Sequence, residues 1–408
     1  MRRASPGPPV SLGLVTVVVV LEARVHRLGS LALSLVLALA GCSNAAPAVT
    51  GTESDGVRAR EAPVRSSDPH DPAVDHYLDA VLPAGPGITV AAARGDDLGH
   101  CAGRGLADRA AKTPATCDTV YDVMSITKQF TAAAVLKLEM AGELRVTDRI
   151  DRYLGPVPED KRDITLHQLL THTAGLPEGL GDDYEPVSRA EMLAGAMKAP
   201  LRSAPGQEFH YSNVGYSLLA AIVEKVSGQS YERFLAERLF RPAGMTRTGY
   251  VLPAWDRAQV AVEYDRNGRA QGRPMDHPWA PDGPYWNLRG NGGMLSTARD
   301  MFRWHRALTG GTVLSEAAKR KLLAPQVRVP ELDGSYGYGW VVVDSPDGRV
   351  AWHDGGNDWS LATVAEYRRR RILVFWVSNH AYQKGNWNLE DGQLELTDGI
   401  AERVRRSG

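Results

Sequence analysis

Strand-like segments occur at both ends of this 408-residue chain and flank a long, mostly helical middle. Near the N-terminus, "GITVAAARG" and "GHCAGRGLAD" have the length and turn residues of a hairpin. Near the C-terminus, "YGYGWVVVD", "RVAWHDG", "SLATVAEY" and "ILVFWVSN" alternate or run apolar at strand length. The order predicts a discontinuous α/β sandwich domain, an antiparallel sheet with flanking helices, plus a mostly helical inserted domain.

We place the folded domain at residues 74–408, with its α/β part at about 74–160 and 330–408 and the helical insertion at about 161–329. Residues 43–73 are rich in Ala, Ser, Pro, Asp and Arg and show no periodicity. Such a composition predicts a flexible tether before the domain.

The first 42 residues have the pattern of an export signal. Arg24, His26 and Arg27 precede the apolar run "LGSLALSLVLALA", which ends in "LAGC" at Cys42. The tripeptide before Cys42 resembles a bacterial lipobox, which predicts a lipidated cysteine and an exported protein anchored at the bacterial cell envelope. The alternatives are cleavage to a soluble exported protein and a membrane anchor, although Glu22 and the basic residues interrupt the apolar run of an anchor.

Composition narrows the class of protein. The formal net charge of −1 indicates neither a nucleic-acid partner nor an anionic surface, and 43% hydrophobic with 23% charged residues is typical of a globular protein. All nine tryptophans lie between Trp255 and Trp387, where they line a cleft or pack a core. Cys101 and Cys117 form a disulfide in an oxidising compartment or remain two reduced core residues.

The stretch "VMSITK" contains a serine, Ser125, followed one helical turn later by Lys128. Ser125 stands at the start of the Ala-rich helical segment "TAAAVLKLEMAGEL", where the helix dipole favours a developing anion. Residues three apart share a helix face, so a desolvated Lys128 would accept the serine proton. The alternative is a helix cap followed by a solvated lysine.

Two further stretches supply groups for the same chemistry. In "FHYSNVGYSLL", Tyr211 and Asn213 are two apart, so in an extended segment both face one way. In "AWHDGGNDWS", the glycines after His353 end a strand and let a substrate approach the backbone. The N–H groups of Gly356 and Ser125 would form an oxyanion hole. Taken singly, these residues also fit a core aromatic, a helix cap and a hairpin.

In this order, the three stretches resemble the serine β-lactamase and penicillin-binding-protein superfamily, on the branch of class C β-lactamases, D,D-peptidases and EstB-type esterases. The stretches "LLTHTAGL", "LFRPAGMTRT" and "NGGMLSTARDM" resemble it too. The resemblance covers roughly residues 75–405. It implies a serine hydrolase that acts on a small-molecule or peptide substrate, with no metal or organic cofactor.

By position, the resemblance implies that Ser125 is the acylated nucleophile and that Lys128 and Tyr211 form its base system. Asn213 would position groups in the cleft, and the strand with His353, Gly355 and Gly356 would bind substrate as its far wall.

The chain departs from the family at Asp354, where β-lactam-processing and D,D-peptidase members have a hydroxyl residue. If its side chain faces the cleft, an acid there repels the carboxylate of such substrates. The departure favours an esterase, or a peptidase with another preference.

The sequence also excludes several other enzyme classes and leaves one rival. It has no Gly-x-Ser-x-Gly elbow, no His-Glu-x-x-His, no P-loop and no dinucleotide fingerprint. His172 has no spaced partner for a metal site or triad, so a structural role is expected. The rival is a non-catalytic envelope protein that binds peptidoglycan stems or a partner in the same cleft.

We expect Cys42 to be the first residue of the mature protein and to carry a diacylglycerol. Intact-mass analysis of the exported protein should show the diacyl mass, and the Cys42→Ser variant should lack it and leave the membrane fraction. A mature protein without added lipid mass would contradict the assignment.

Overall fold

A computed structural model describes residues 68–406 except 86, 331, 347 and 386. The predicted signal peptide with Cys42, and the predicted tether up to residue 67, lie outside these residues. Among the residues that the structure does describe, no helix is both long and apolar enough to cross a membrane.

The central element is an eight-stranded antiparallel sheet that draws strands from both ends of the chain, which confirms the predicted fold class. The strands are β1 (Ile88–Arg94), β2 (Asp97–Arg104), β3 (Val327–Val329), β4 (Gly334–Tyr336), β5 (Val341–Ser345), β6 (Gly348–Gly356), β7 (Leu361–Tyr367) and β8 (Ile372–Ser378). Their spatial order in the sheet is β3-β4-β5-β6-β7-β8-β1-β2.

The first hairpin joins the C-terminal strands through β1, which pairs with β8 from Ile88 opposite Ser378 to Arg94 opposite Ile372. Both neighbours of β1 are antiparallel, so its backbone groups pair alternately with β8 and with β2, and the pairing with β2 shifts register between Ala92 and Ala93. Strand β8 is buried along its whole length, as its continuous apolar sequence predicts.

Along the sequence, most helices lie between the N-terminal strands β1 and β2 and the C-terminal strands β3 to β8. The described helices are α1 (Pro72–Val81), α2 (Thr127–Met140), α3 (Asp151–Leu154), α4 (Leu166–Leu170), α5 (Arg189–Lys198), α6 (Asn213–Ser227), α7 (Tyr231–Leu235), α8 (Arg241–Ala243), α9 (Ala298–Gly310), α10 (Glu316–Leu322) and α11 (Gln393–Arg406). A π-helical turn, Ala236–Phe240, joins α7 to α8.

Short elements complete the chain. The 3₁₀ turns are Met124–Ile126, Glu159–Lys161, Arg257–Gln259 and Pro274–Asp276. Five pairs of short strands are Leu106–Asp108 with Thr113–Pro114, Tyr121–Asp122 with Leu295–Ser296, Glu263–Tyr264 with Ala270–Gly272, Trp279–Ala280 with Gly283–Pro284, and Gln383–Lys384 with Trp387–Asn388.

Two apolar cores lie on the two faces of the sheet. The smaller core packs α1 and α11 against one face through residues such as Leu78, Trp376 and Ile400. The larger core lies on the other face and contains most of α2 and α6. Helix α2 is buried nearly all round, because its alanines allow close approach of neighbouring elements on every side.

The fold begins earlier than the sequence predicted, since residues 68–73 belong to it rather than to the tether. The Asp68 carboxylate pairs with Arg299, and the Pro69 carbonyl accepts a hydrogen bond from the Cys101 N–H at 2.8 Å. Asp71 caps α1 by accepting from the Ala73 N–H. The contacts of Asp68 and Pro69 have partners distant in sequence, which the composition of the segment does not reveal.

Cys101 and Cys117 are joined by a disulfide, with their Cα atoms 5.4 Å apart. The bond ties β2 to the segment that leads into the turn at Ser125, and both cysteines are fully buried. It constrains the chain on the approach to the candidate site.

Candidate active site

Ser125 lies in the 3₁₀ turn Met124–Ile126, directly before α2. The preceding residue, Met124, has a left-handed backbone with a φ of 47°, which is uncommon for a residue with a side chain. The Asp122 carboxylate holds this turn by accepting a hydrogen bond from the Met124 N–H at 2.6 Å. Strain retained by surrounding contacts is typical of functional turns.

Lys128 is fully buried, and its amine points back at the serine. Its Nζ lies 3.0 Å from Ser125 Oγ and 2.9 Å from the backbone carbonyl oxygen of Asn291. Burial lowers the pKa of Lys128 to about 7, although Asp183, Glu178 and Asp354 act in the opposite direction. A substantial fraction of the amine is therefore neutral near neutral pH and able to accept the serine proton.

Tyr211 completes the group around the serine. Its ring centroid lies 4.8 Å from Lys128 Nζ. Burial raises the pKa of Tyr211 well above its usual range, and a hydrogen bond with Ser125 partly offsets this effect. The phenol therefore stays protonated, which makes it a hydrogen-bond donor and a proton source rather than a base.

Ser212, between Tyr211 and Asn213, is the N-cap of α6, and its hydroxyl accepts from the Gly215 N–H at 3.1 Å. Asn213 is thus the first residue of the helix, whereas the sequence was interpreted as extended there. Its side chain still lines the cleft, and its Oδ1 is buried with no hydrogen-bond partner among the described residues. This amide is available to a substrate.

The end of β6 forms one wall of the cleft. A Cβ atom on Gly355 would lie 2.7 Å from the carbonyl oxygen of Val123 and 3.0 Å from the N atom of Ser125. Only glycine allows the strand to approach the serine turn this closely. The next residue, Gly356, lines the cleft itself.

His353 was predicted to bind substrate, but its ring is occupied by the protein. The ring is buried, its Nδ1 donates to the Asp354 carbonyl at 2.6 Å, and its Nε2 accepts from the Tyr336 hydroxyl at 2.9 Å. Burial lowers the pKa of His353, so the ring is neutral. His353 and Gly355 are not among the residues that line the cleft; they support its wall.

His172 has the structural role that its lack of spaced partners suggested. Its Nδ1 accepts the Ser212 N–H at 3.0 Å, and its ring centroid lies 4.4 Å from that of Tyr211. Its backbone is left-handed, with a φ of 58°, and its carbonyl accepts from the His210 N–H. His172 therefore fixes the segment that carries the phenol.

Sequence reasoning missed several cleft residues. The cleft is lined by Asp122, Met124, Ser125, Asp183, Tyr184, Asn213, Leu288, Asn291, Gly292, Gly293, Gly356 and Asn357. Asn291, whose carbonyl binds Lys128, is held by Ser217 and by the Asn287 carbonyl. Asn291 begins the stretch "NGGMLSTARDM", which resembles the family. A sequence motif does not show, however, that the backbone carbonyl of Asn291 is the group that binds Lys128.

The tryptophans mostly pack cores. Trp304, Trp340 and Trp376 are fully buried, and none of the nine lines the cleft. Trp359 belongs to a group of three aromatic rings. The centroid of the His277 ring lies 4.3 Å from that of Trp359 and 4.5 Å from that of Tyr184. Tyr184 is the aromatic member of this stack that reaches the cleft.

Acidic groups dominate the electrostatics of the cleft. Of the described residues that line it, Asp122 and Asp183 are acids and none is Lys or Arg. Burial raises the pKa of Asp122 well above its usual range, and Glu263 raises it further, which favours the neutral form of this acid. Burial raises the pKa of Asp183 to about 6, so its carboxylate is mostly ionised at neutral pH. Asp354 has a partly exposed side chain, and its charge raises the pKa values of both Lys128 and Tyr211. The charges of Asp183 and Asp354 therefore disfavour anions in the cleft.

Comparisons with known proteins agree with the fold and the motifs. A family model described as Beta-lactamase matches residues 75–397. Penicillin-binding protein 4* of Bacillus subtilis is 31% identical over 71% of this chain and 67% of its own length. A putative penicillin-binding protein of the same species, PbpX, is 29% identical over 66% of this chain and 64% of its own length.

A solved structure, the octameric penicillin-binding protein homologue from Pyrococcus abyssi, superimposes with a TM-score of 0.68 at 26% identity. The match covers 80% of this chain and 76% of that one. Together with the match of the family model over most of the described residues, this shows that the chain belongs to the Beta-lactamase family of serine β-lactamase and penicillin-binding-protein-like proteins.

Proposed function

We propose that this protein is a serine hydrolase that cleaves an ester or amide through an acyl-enzyme on Ser125. The observation that carries the proposal is the 3.0 Å contact between Ser125 Oγ and the fully buried amine of Lys128, whose pKa is lowered to about 7. A desolvated amine placed against a hydroxyl at the edge of a cleft is typical of an active site rather than of a lysine with a structural role.

The division of roles follows from the two pKa shifts. Lys128 is the base, because its amine is partly neutral at pH 7, whereas burial keeps Tyr211 protonated. Ser125 passes its proton to Lys128 and attacks the carbonyl carbon, which forms a tetrahedral oxyanion near the backbone N–H groups of Ser125 and Gly356. Tyr211 donates its proton to the leaving group and regains one from the Lys128 ammonium. Water, deprotonated by the same pair, then releases the acid.

The charge of the cleft points to the class of substrate. Asp183, whose pKa of about 6 leaves its carboxylate mostly ionised at neutral pH, lines the cleft, and the charge of Asp354 reaches Lys128 and Tyr211. A substrate carboxylate entering this cleft meets repulsion, with no lining cation among the described residues to offset it. We therefore favour neutral or cationic esters and amides over β-lactams and peptides with a free C-terminal carboxylate near the scissile bond.

We further propose that the enzyme works outside the cytoplasm, tethered through Cys42. The supporting observation within the described residues is the Cys101–Cys117 disulfide, because such bonds persist in oxidising compartments.

Replacing the nucleophile should abolish turnover and leave the fold intact. We expect Ser125→Ala to lower kcat/KM on short-chain p-nitrophenyl esters by more than about 1000-fold and to lose covalent labelling by a fluorophosphonate or penicillin probe. Ser230→Ala is the matched control, because Ser230 makes no side-chain cap bond and does not line the cleft.

Full activity of Ser125→Ala would contradict the mechanism. A wild-type protein that no acylating probe labels would instead favour the rival function, a non-catalytic envelope protein that binds in the same cleft.

The lowered pKa of Lys128 predicts an acidic limb in the pH profile. Because the neutral amine is the base, kcat/KM should rise about tenfold per pH unit below pH 7 and level off above the pKa of about 7. The inflection belongs to the coupled Lys128–Tyr211 pair rather than to one residue. The measurement uses a neutral ester, with circular dichroism at each pH to exclude unfolding. A profile that is flat between pH 5 and 9 would sink the assignment of Lys128 as the base.

Changing the acid beside the cleft should alter selectivity for charge. We expect Asp354→Thr, which restores the hydroxyl of the β-lactam-processing relatives, to raise kcat/KM on the carboxylate-bearing substrate nitrocefin about tenfold. Activity on a neutral p-nitrophenyl ester should change less than about twofold. The control is Asp344→Thr, an exposed acid on β5 that pairs with Arg349. Equal changes on both substrates would show that Asp354 acts through the fold and not through its charge.

A further inference from the structure

Three side chains of metal-ligand type meet at the start of the fold, outside the candidate active site. His70, Asp75 and His100 each offer one donor atom, and the three atoms lie within 4.8 Å of one another. None of the three residues lines the cleft beside Ser125. The grouping brings together the turn before α1, the first turn of α1, and β2.

The histidine on β2 is the buried member of the group. His100 is fully buried, and its Nδ1 accepts the Asp71 N–H at 3.2 Å. The unprotonated nitrogen therefore faces the turn that carries His70.

The other two members are nearer to solvent. His70 Nδ1 lies 3.3 Å from Asp75 Oδ2, and the His70 ring meets the His100 ring edge-on at 5.7 Å between centroids. The second oxygen of Asp75, Oδ1, accepts from Arg104 at 2.9 Å. One carboxylate oxygen is thus fixed by an arginine while the other faces the two imidazoles.

The local charge favours a cation in spite of Arg104. Asp71 and Asp75 lie beside His100, and Arg104 forms ion pairs with Asp75 and with Asp79. Asp71 also neutralises part of the positive end of α1 by capping it. Three carboxylates against one guanidinium leave a net negative charge around the imidazoles.

We propose that His70, Asp75 and His100 bind a divalent transition metal of the zinc type. Two imidazole nitrogens and one carboxylate oxygen are the donor set that zinc takes in proteins, with water in the remaining position. The metal replaces the long hydrogen bond between His100 and the Asp71 backbone. Arg104 remains the outer partner that orients the Asp75 carboxylate.

The site has a structural consequence for the entry of the chain into the domain. A metal held by these residues fastens the segment before α1, and α1 itself, to β2 at the residue next to disulfide-bonded Cys101. Because the ligands converge only in the folded state, bound metal stabilises the native protein by mass action.

The test uses the exported protein, purified without a polyhistidine tag, stripped with EDTA and titrated with Zn²⁺ by calorimetry. We expect one zinc per chain and a rise in Tm on zinc addition. His70→Ala should weaken binding at least about tenfold and remove the rise in Tm. This variant should fold, since the His70 side chain is 58% exposed.

His76→Ala is the matched control, because His76 is an exposed histidine on α1 that lies outside the group. It should bind zinc like the wild type. Hydrolysis by the wild type should be the same with and without zinc, so that loss of binding and loss of the proposed activity remain distinguishable. Failure of the wild type to bind zinc more tightly than His70→Ala, or equal weakening by His76→Ala, would overturn the proposal.

Discussion

The candidate site depends on the burial of one amine. Lys128 lies on a helix that is buried nearly all round, and among the described residues its Nζ hydrogen-bonds to Ser125 Oγ and the Asn291 carbonyl. In this setting a proton on the amine is costly, and the pKa falls to about 7. Nearby acids oppose that fall but do not cancel it. The desolvation of Lys128 is what turns an ordinary hydroxyl into a candidate nucleophile.

The surrounding structure keeps these groups in place by constraints on the backbone. Met124 holds a left-handed conformation before the serine, and His172 holds another beneath the tyrosine. Gly355 lets β6 touch the serine turn, where any side chain would collide with the backbone. Each feature is unfavourable or restrictive by itself, and each brings one wall of the cleft to Ser125. Such a pre-arranged site does not have to reorganise during the reaction.

The acidic residues in and beside the cleft are the feature that we expect to distinguish it from the clefts of related proteins. The resemblance of the motifs leads us to expect the serine, lysine, tyrosine and asparagine in relatives as well, with a hydroxyl residue in place of Asp354. Here the charge of Asp354 acts on Lys128, and Asp183 lines the cleft beside Ser125. Repulsion of a carboxylate in such a cleft is stronger than on a wet surface, because the walls have a low dielectric constant. Charge, more than the catalytic groups, is therefore expected to distinguish substrates.

The sequence by itself determined the fold class, because periodicity marks strands and helices, and it predicted most of the candidate reacting groups, because Ser125, Lys128, Tyr211 and Asn213 stand in compact local motifs. It also indicated the disulfide partners, though not that they meet. Only the tertiary structure decided the rest. That His353 bonds to Tyr336 and not to the cleft, that the Asn291 carbonyl holds Lys128, and that residues 68–73 join the fold all depend on contacts between distant parts of the chain. Such contacts are set by how the elements pack, and no local pattern records them.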